Sequence, residues 1–243
     1  MLNGLDLFSG IGGLAIALDE WVRPIAYCEI DPYCQGVLLS RIATGELKNS
    51  PLWDDIKTLD GARFARGYVD IIFGGFPCQD ISVAGKGKGL AGERSGLFFE
   101  IVRLAKEIKP KFIFLENTKG ILINGGLQVA ESLAKIGYDC RFDILSANEF
   151  IDQNRERWFC LAKLNGERRI ERPSEGIQSK RETILNEESS NYKLQDMESW
   201  GAYARSMRKD HGIPFRMERI KSLGNSVCPQ QTKKAFKILM GLK

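Results

Sequence analysis

The chain has 243 residues and a mass of 27.3 kDa, which suits one α/β domain, alone or with a small insert. A hydrophobic fraction of 43% and a charged fraction of 27% are ordinary for a globular protein and exclude wholesale disorder. The net charge of +4 and the pI of about 8.7 fall short of the footprint of a protein that binds nucleic acid by charge alone, a pI above roughly 9.

Short apolar runs bounded by turn residues predict six strands, at residues 5–8, 24–28, 69–73, 112–115, 138–145 and 157–164. Helical spacing predicts helices at residues 14–21, 97–108, 127–136 and 230–242. Strand and helix therefore alternate. This alternation predicts an α/β, Rossmann-like fold with a mostly parallel sheet, helices on both faces, and ligands bound beyond the carboxyl ends of the strands.

Composition divides the chain into three parts. Residues 1–164 form the main α/β domain, residues 165–221 form a short insert rich in charge, Ser and Asn, and residues 222–243 return to the main domain. An insert of this size is near the lower limit for independent folding, so we expect its folding to depend on packing against the main domain.

The residues after Met1 lead directly into the first strand, without a basic region, a long apolar stretch or a cleavage site. We therefore expect no signal peptide and no membrane span, and a cytoplasmic location. The cysteines, at positions 28, 34, 78, 140, 160 and 228, form no Cys-x-x-Cys pair, which argues against a zinc ribbon or a disulfide scaffold. A single histidine, His211, argues against a histidine metal cluster and a Ser-His-Asp hydrolase, so no metal is expected.

A glycine loop, Gly10-Ile11-Gly12-Gly13, follows the first strand and opens a helix, and Glu29 stands at the end of the second strand. Glycines let a ligand approach the backbone, and a carboxylate at the next strand end can accept hydrogen bonds from ribose hydroxyls. Gly10, Gly12 and Ala15 also satisfy the loose dinucleotide pattern. The loop by itself therefore indicates a nucleoside site, an NAD-type site or a plain strand–helix turn.

Cys78 follows the strand at 69–73 within Gly74-Gly75-Phe76-Pro77-Cys78-Gln79, and a basic, Gly-rich stretch comes directly after it. A thiol at the carboxyl end of a strand lies where α/β enzymes bind substrate, and basic neighbours favour the thiolate and an anionic substrate. A nucleophile and a small buried hydrophobe are equally good interpretations of the cysteine at this point.

Glu116 ends the apolar run at 112–115, so it is either a surface residue or a carboxylate held for acid–base work. Gln153, Arg155 and Arg157 enter the strand at 157–164, where alternation would turn the two arginines to the same side. Such a pair suits either a clamp for a carboxylate or phosphate or ordinary surface ion pairs.

Taken together and in this order, these segments resemble the DNA (cytosine-5)-methyltransferase family, in its short bacterial and phage form. The resemblance rests on "DLFSGIGG" at 6–13, Glu29, Asp55-Ile56, Pro77-Cys78-Gln79, "SGLF" at 95–98, Glu116-Asn117, the set Gln153, Arg155 and Arg157, and "LGNSV" at 223–227. It covers nearly the whole chain outside the insert.

The resemblance implies an S-adenosylmethionine-dependent methyltransferase fold with a small target-recognition insert. The implied reaction transfers a methyl group from S-adenosylmethionine to carbon-5 of a cytosine flipped out of double-stranded DNA, through a covalent adduct with Cys78. A cognate restriction endonuclease is the implied further partner, unless the enzyme is an orphan, and a monomer is the expected state. A tRNA cytosine-5 methyltransferase of the same family, an NAD-binding oxidoreductase and a non-catalytic binding module are the alternatives.

The resemblance also implies the site residues. The catalytic set is Cys78, Glu116, Arg155 and Arg157, in which Glu116 holds the ring nitrogen and amino group of the base and the arginines orient it. The cofactor-binding set is Phe8, Gly10, Ile11, Gly13, Glu29, Ile30, Asp55, Ile56, Pro77, Asn225 and Val227. The substrate-binding set is Gln79, Ser82, Lys86, Lys88, Arg94 and Gln153.

The sequence departs from the family pattern at two motifs and in the recognition region. Thr118 stands where the family usually has Val, and Phe150-Ile151-Asp152 stands where a Gly-Val-Pro-like approach is usual. We expect neither change to abolish activity. The recognition region is short and divergent, so we expect a short target sequence.

Overall fold

The structure is a computed structural model in which residues 1–77, 96–152, 154–165 and 226–242 are described. These residues all fall in one compact unit, Met1–Asn165 together with Met217–Lys243. No helix within the described ranges is both long and apolar enough to cross a membrane. Nearly all of the expected insert lies outside these ranges, so its boundaries stay a prediction.

The elements alternate along the chain as predicted. Up to residue 77, the structure contains β1 (Leu2–Leu7), α1 (Gly13–Ala17), β2 (Val22–Cys28), α2 (Pro32–Ala43), β3 (Leu52–Trp53), a 3₁₀ turn (Gly61–Arg63) and β4 (Ile71–Gly75). The described residues from 96 onward contain α3 (Leu97–Ile108), β5 (Phe112–Thr118), α4 (Ile121–Asn124), α5 (Gly126–Ala134), β6 (Tyr138–Ser146), β7 (Glu156–Leu164) and α6 (Pro229–Met240).

The seven strands found among the described residues form one sheet in the order β3-β2-β1-β4-β5-β7-β6. The pairs from β3 to β5 are parallel, whereas β7 is antiparallel to both β5 and β6. This arrangement confirms the predicted mostly parallel sheet. Because β7 runs the other way, its first residues lie at the edge where the parallel strands end, and Arg157 pairs with Thr118.

The period-two alternation of the strands builds two cores, one on each face of the sheet. On β4, Ile72 belongs to the cluster that contains the buried residues of α3 and α5. Its neighbour Phe73 belongs to the cluster that contains Leu14 of α1, Leu38 of α2 and Phe236 of α6. The predicted placement of helices on both faces is therefore confirmed.

Several elements differ from the sequence expectations, among them helix α4 and the 3₁₀ turn, which were not predicted. Helix α2 was not predicted, although Asp31 caps it by accepting hydrogen bonds from the N–H groups of Tyr33 and Cys34, and Pro32 occupies its first turn. Strand β3 was also missed, because two residues are too short to show a pattern. Helix α1 ends at Ala17, four residues before the predicted end, because the backbone of Leu18, with φ −100° and ψ 7°, has left the helical region.

Candidate active site

A cavity of about 360 Å³ opens at the carboxyl edge of the sheet. Most of its walls come from the segments after β1, β2, β3 and β4 and from the residues just before α6, and α2, α3 and β5 contribute one residue each. The structure places in this lining all of the described residues that were predicted to bind the cofactor, namely Phe8, Gly10, Ile11, Gly13, Glu29, Ile30, Asp55, Ile56, Pro77 and Val227. Asn225, predicted with them, lies outside the described residues.

Residues 8–13, which add Phe8 and Ser9 to the glycine loop and are called the glycine loop from here on, form one wall of the cavity. Gly10 and Gly12 have φ angles of 53° and 86°, in the left-handed region that glycine adopts without steric cost. Phe8 has a φ of 54° as well. The loop therefore turns tightly enough to bring its backbone to the cavity, which explains why glycines follow β1.

Glu29, directly after β2, is held by two backbone amides. The N–H of Gly10 donates to Oε2 at 2.6 Å, and the N–H of Asp31 donates to Oε1 at 2.8 Å. A carboxylate oxygen has more than one acceptor position, so each oxygen retains capacity for a ligand hydroxyl. The carboxylate is thus fixed at the cavity before any ligand arrives.

The described lining of the cavity is acidic. It contains the carboxylates Glu29, Asp31, Asp54, Asp55 and Glu116, and none of its described residues is lysine or arginine. Such a lining favours a positively charged ligand that carries hydroxyl groups and disfavours the pyrophosphate of a dinucleotide. Apolar surface for a flat ring is present in Ile30, which is 67% exposed, and in the buried Ile56.

The second feature of the site is an ion pair between Glu116, on β5, and Arg157, on β7. The Nε of Arg157 lies 2.9 Å from Oε1 of Glu116, and both side chains are largely buried. A Cβ on Gly75 would lie 2.9 Å from Oε2 of Glu116, so the glycine lets this carboxylate lie against β4. Burial raises the pKa of Glu116 above its usual value, because loss of hydration outweighs the opposing charges of Arg157 and Arg155.

Arg155 acts on Glu116 through its charge and is held by a different contact. Its Nη2 donates a hydrogen bond to the carbonyl oxygen of Ser226, which lines the cavity beside Val227. Gln231, on α6, donates to the carbonyl oxygen of Arg155 at 2.8 Å. The two predicted arginines therefore join the Glu116 region to the segment that precedes α6.

The chain that leads to Cys78 is anchored at its start. Asn117 donates from Nδ2 to the carbonyl oxygen of Phe76 at 3.0 Å, and its Oδ1 accepts from the N–H of Thr118 at 2.8 Å. The ring of Phe76 packs against Phe98 with 5.4 Å between centroids. Cys78 follows within two residues and lies outside the described residues, as do Gln79, Ser82, Lys86, Lys88, Arg94 and Gln153.

Sequence reasoning missed several residues that line the cavity. Ser9 and Leu97 stand inside the quoted segments "DLFSG" and "SGLF", and Asp54 stands next to Asp55, so adjacency to a motif is a signal for all three. Cys34 lines the cavity from α2, which the sequence did not predict.

Comparison with known proteins gives a family match over most of the chain. The family model for C-5 cytosine-specific DNA methylases matches residues 2–213. The Type II methyltransferase M.CviJI of Paramecium bursaria Chlorella virus IL3A is 34% identical over 164 residues, which are 65% of this chain and 42% of the relative. The orphan methyltransferase M.SPRI of Bacillus phage SPR is 33% identical over 168 residues, which are 66% of this chain and 37% of the relative.

Solved structures show the same fold. The S. pombe Dnmt2 methyltransferase superposes with a TM-score of 0.55 and 24% sequence identity, over 80% of this chain and 58% of that one. The chain spans less than half the length of the two sequence relatives described above.

Proposed function

Because the chain belongs to the C-5 cytosine-specific DNA methylase family, we propose that it methylates carbon-5 of cytosine in double-stranded DNA with S-adenosylmethionine as methyl donor. The observation that carries this proposal is that two features lie together at the carboxyl edge of the sheet. They are an acidic cavity in which Glu29 is fixed and, at the margin of that cavity, the buried Glu116–Arg157 ion pair.

The chemistry of the cavity fits S-adenosylmethionine. Its carboxylates suit a ligand that carries a sulfonium and an ammonium group, and Glu29 is oriented to accept hydrogen bonds from ribose hydroxyls. Ile30 and Ile56 offer apolar surface to the adenine, and the glycine loop lies where the methionine part would pass. When bound, S-adenosylmethionine supplies a methyl group on a positively charged sulfur. An NAD-type ligand fits less well, since its pyrophosphate would meet carboxylates.

Cys78 is the proposed nucleophile. Carbon-5 of cytosine is too weakly nucleophilic to attack a methyl group directly. The Cys78 thiolate therefore first adds to the neighbouring ring carbon, which forms a carbon–sulfur bond while the ring double bond opens and its electron pair becomes available at carbon-5. After methylation, the proton on carbon-5 passes to a water molecule, its electron pair re-forms the ring double bond, and the carbon–sulfur bond breaks and returns the thiolate. The anchored Phe76 and Pro77 would limit the positions available to Cys78.

Glu116 is proposed to hold the ring nitrogen and the amino group of the cytosine. Its raised pKa favours the protonated form more than in water, so it is suited to share a proton with the ring nitrogen as negative charge develops there. Arg157 orients the Glu116 carboxyl group through the 2.9 Å contact, and Arg155 adds positive charge beside it.

The DNA substrate requires base flipping, because the attacked carbon is not accessible inside a duplex. We propose that Gln79, Ser82 and Gln153 contact the substrate and that Lys86, Lys88 and Arg94 contact phosphates, which would position the duplex without reading its sequence. The relatives include one named a Type II methyltransferase and one named an orphan methyltransferase. We propose a cognate restriction endonuclease as a partner if this chain is of the Type II kind, and no such partner if it is an orphan. A monomer in the cytoplasm is the proposed working state.

Covalent trapping tests the proposed mechanism. Double-stranded DNA with 5-fluorocytosine at the target, which methylome or bisulfite sequencing would identify first, should form a heat-stable adduct, because fluorine cannot leave as a proton. The adduct should be lost in Cys78→Ala and kept in the matched control Cys140→Ala, whose cysteine lies on β6. Methylation of DNA without an adduct would overturn the role of Cys78. Methyl transfer to tRNA but not to DNA would overturn the proposed substrate.

A further inference from the structure

The glycine loop contains an unusual concentration of left-handed backbone. Phe8, Gly10 and Gly12 all have positive φ angles, at 54°, 53° and 86°. A non-glycine residue in this region carries a cost of roughly 1–3 kcal/mol, and such a conformation persists only where the surroundings hold it. Contacts with the rest of the protein must therefore hold the glycine loop in this conformation.

Arg41, on α2, makes one of these contacts. Its Nη1 donates a hydrogen bond of 2.7 Å to the carbonyl oxygen of Ile11, in the middle of the loop and 30 residues earlier in the chain. Its side chain is 28% exposed, and its Nε lies 3.7 Å from Oε2 of Glu46. A hydrogen bond from a charged guanidinium to a carbonyl is stronger than one between neutral groups.

Two buried leucines support the same loop from the same side. A Cβ on Gly12 would lie 2.7 Å from Cδ1 of Leu47 and 3.3 Å from Cδ2 of Leu38, so both side chains pack directly against the loop. The N–H of Leu47 donates to the carbonyl oxygen of Arg41 at 3.1 Å. Leu38, Arg41 and Leu47 thus form one loop support, made by α2 and the turn that follows it.

We propose that Arg41 is a positioning residue for the methyl donor: it holds the glycine loop in its ligand-binding conformation through the Ile11 carbonyl. Arg41 does not line the cavity, whereas Ile11 does, so Arg41 acts through the loop. Without this hydrogen bond, the ligand has to order the loop as it binds, which lowers affinity. The inference rests on the proposed function in taking S-adenosylmethionine as the ligand of the cavity.

Calorimetry of S-adenosylmethionine binding tests the role of Arg41. Arg41→Met removes the donor and should raise Kd about tenfold, and Arg41→Lys, which keeps a positive charge without the fork, should restore part of the affinity. The matched control is Arg23→Met, because Arg23 also donates one hydrogen bond, to Oδ1 of Asn3 at 2.8 Å, on the β1–β2 pair away from the cavity lining. The control should bind as the wild type does.

Steady-state kinetics separates positioning from a general loss of structure. Arg41→Met should raise KM for S-adenosylmethionine and leave kcat and KM for DNA unchanged. A Kd within about twofold of the wild type overturns the inference, and so does a parallel loss of kcat and DNA affinity. If Arg41→Met does not fold, Arg41→Lys decides by the same measurement, with wild-type affinity again overturning the inference. A wild-type protein that does not bind S-adenosylmethionine overturns the proposed function itself.

Discussion

The two halves of the site hold their carboxylates in different ways. Glu29 is fixed by backbone amides of Gly10 and Asp31, which belong to loops after neighbouring parallel strands. Glu116 is fixed by the charged side chain of Arg157, which arrives on an antiparallel strand. The first half therefore depends on loop geometry, and the second depends on strand register and charge. Variants of each carboxylate should accordingly produce different losses.

The largest loss is expected from Glu116→Gln. The amide keeps the shape of the side chain but cannot share the proton with the base, so kcat should fall by about 10²–10⁴. Affinity for S-adenosylmethionine should change little, because Glu29 remains in place. The measurement is single-turnover methyl transfer alongside calorimetry. Glu156→Gln is the control, since Glu156 is a half-buried neighbour of Arg157 that pairs with Lys119.

The contrast between the two halves would fail if Glu116→Gln lost cofactor affinity and rate to the same extent. The pH dependence of the reaction rate tests the same role of Glu116. Since burial raises the pKa of Glu116, the proton is kept to higher pH than on an ordinary glutamate, and the rate should fall as pH rises through that raised value. Glu116→Gln should remove this high-pH limb from the rate profile.

A smaller effect is expected from Glu29→Gln, and it should fall on the affinity for S-adenosylmethionine instead of on the rate. The amide retains one acceptor oxygen but places a donor NH₂ group against one of the two backbone N–H groups that now bind the carboxylate. The Kd for S-adenosylmethionine should rise by about tenfold, and kcat at saturating donor should stay near the wild-type value. Glu20→Gln, at an exposed glutamate paired with Lys233, is the control. A fall in kcat with unchanged Kd would contradict the assignment of Glu29 to the cofactor half.

The smallest effect is expected at a third carboxylate, Asp6. Unlike Glu29 and Glu116, Asp6 is held neither by backbone amides nor by an arginine. It is fully buried on β1, and neither carboxylate oxygen has a hydrogen-bond partner among the described residues. Burial raises the pKa of Asp6 well above its usual value, and the nearby charge of Glu29 adds to the effect. The native state thus binds a proton that the unfolded state releases above about pH 4, so stability falls as pH rises from there toward the raised pKa.

Asp6→Asn should remove this pH dependence and stabilise the fold by about 1 kcal/mol at pH 8, with little effect near pH 4. Thermal unfolding across that pH range provides the measurement. Asp70→Asn should behave in the opposite way, because a hydrogen bond from Lys111 lowers the pKa of Asp70 and stabilises the fold above the usual carboxyl pKa. Parallel stability curves for Asp6→Asn and the wild type would contradict the assignment.

The placement of Glu29 beside the glycine loop could be predicted from the sequence because its signals are local. A glycine loop after a strand and a carboxylate after the next strand require only the parallel order of β1 and β2, and the structure places both at one cavity. The sequence analysis predicted neither helix α2 nor the contact that Arg41, on this helix, makes with the glycine loop. The Asp-Pro start of that helix is a usable signal, but its contact with Ile11 depends on how α2 packs.

The Glu116 half could be predicted only in part. Alternation predicted only that Arg155 and Arg157 turn to the same side, and the family resemblance supplied Glu116 as their neighbour. The antiparallel direction of β7, which brings Arg157 opposite Thr118, leaves no local trace in the sequence. Neither does the hydrogen bond from Arg155 to the Ser226 carbonyl, since these residues are 71 positions apart.

The position of α6 in the chain has a consequence for synthesis. Phe236 packs against Trp21 and Phe114, with centroids 5.4 and 5.2 Å away, and Ser226 and Val227 close one wall of the cavity. A growing polypeptide has all seven described strands of the sheet before it has this helix. Until the ribosome has released α6, the face that α1 and α2 cover only in part keeps some of its apolar surface exposed, and the ligand cavity is incomplete. A chain stalled in that interval is a natural client for chaperones and proteases.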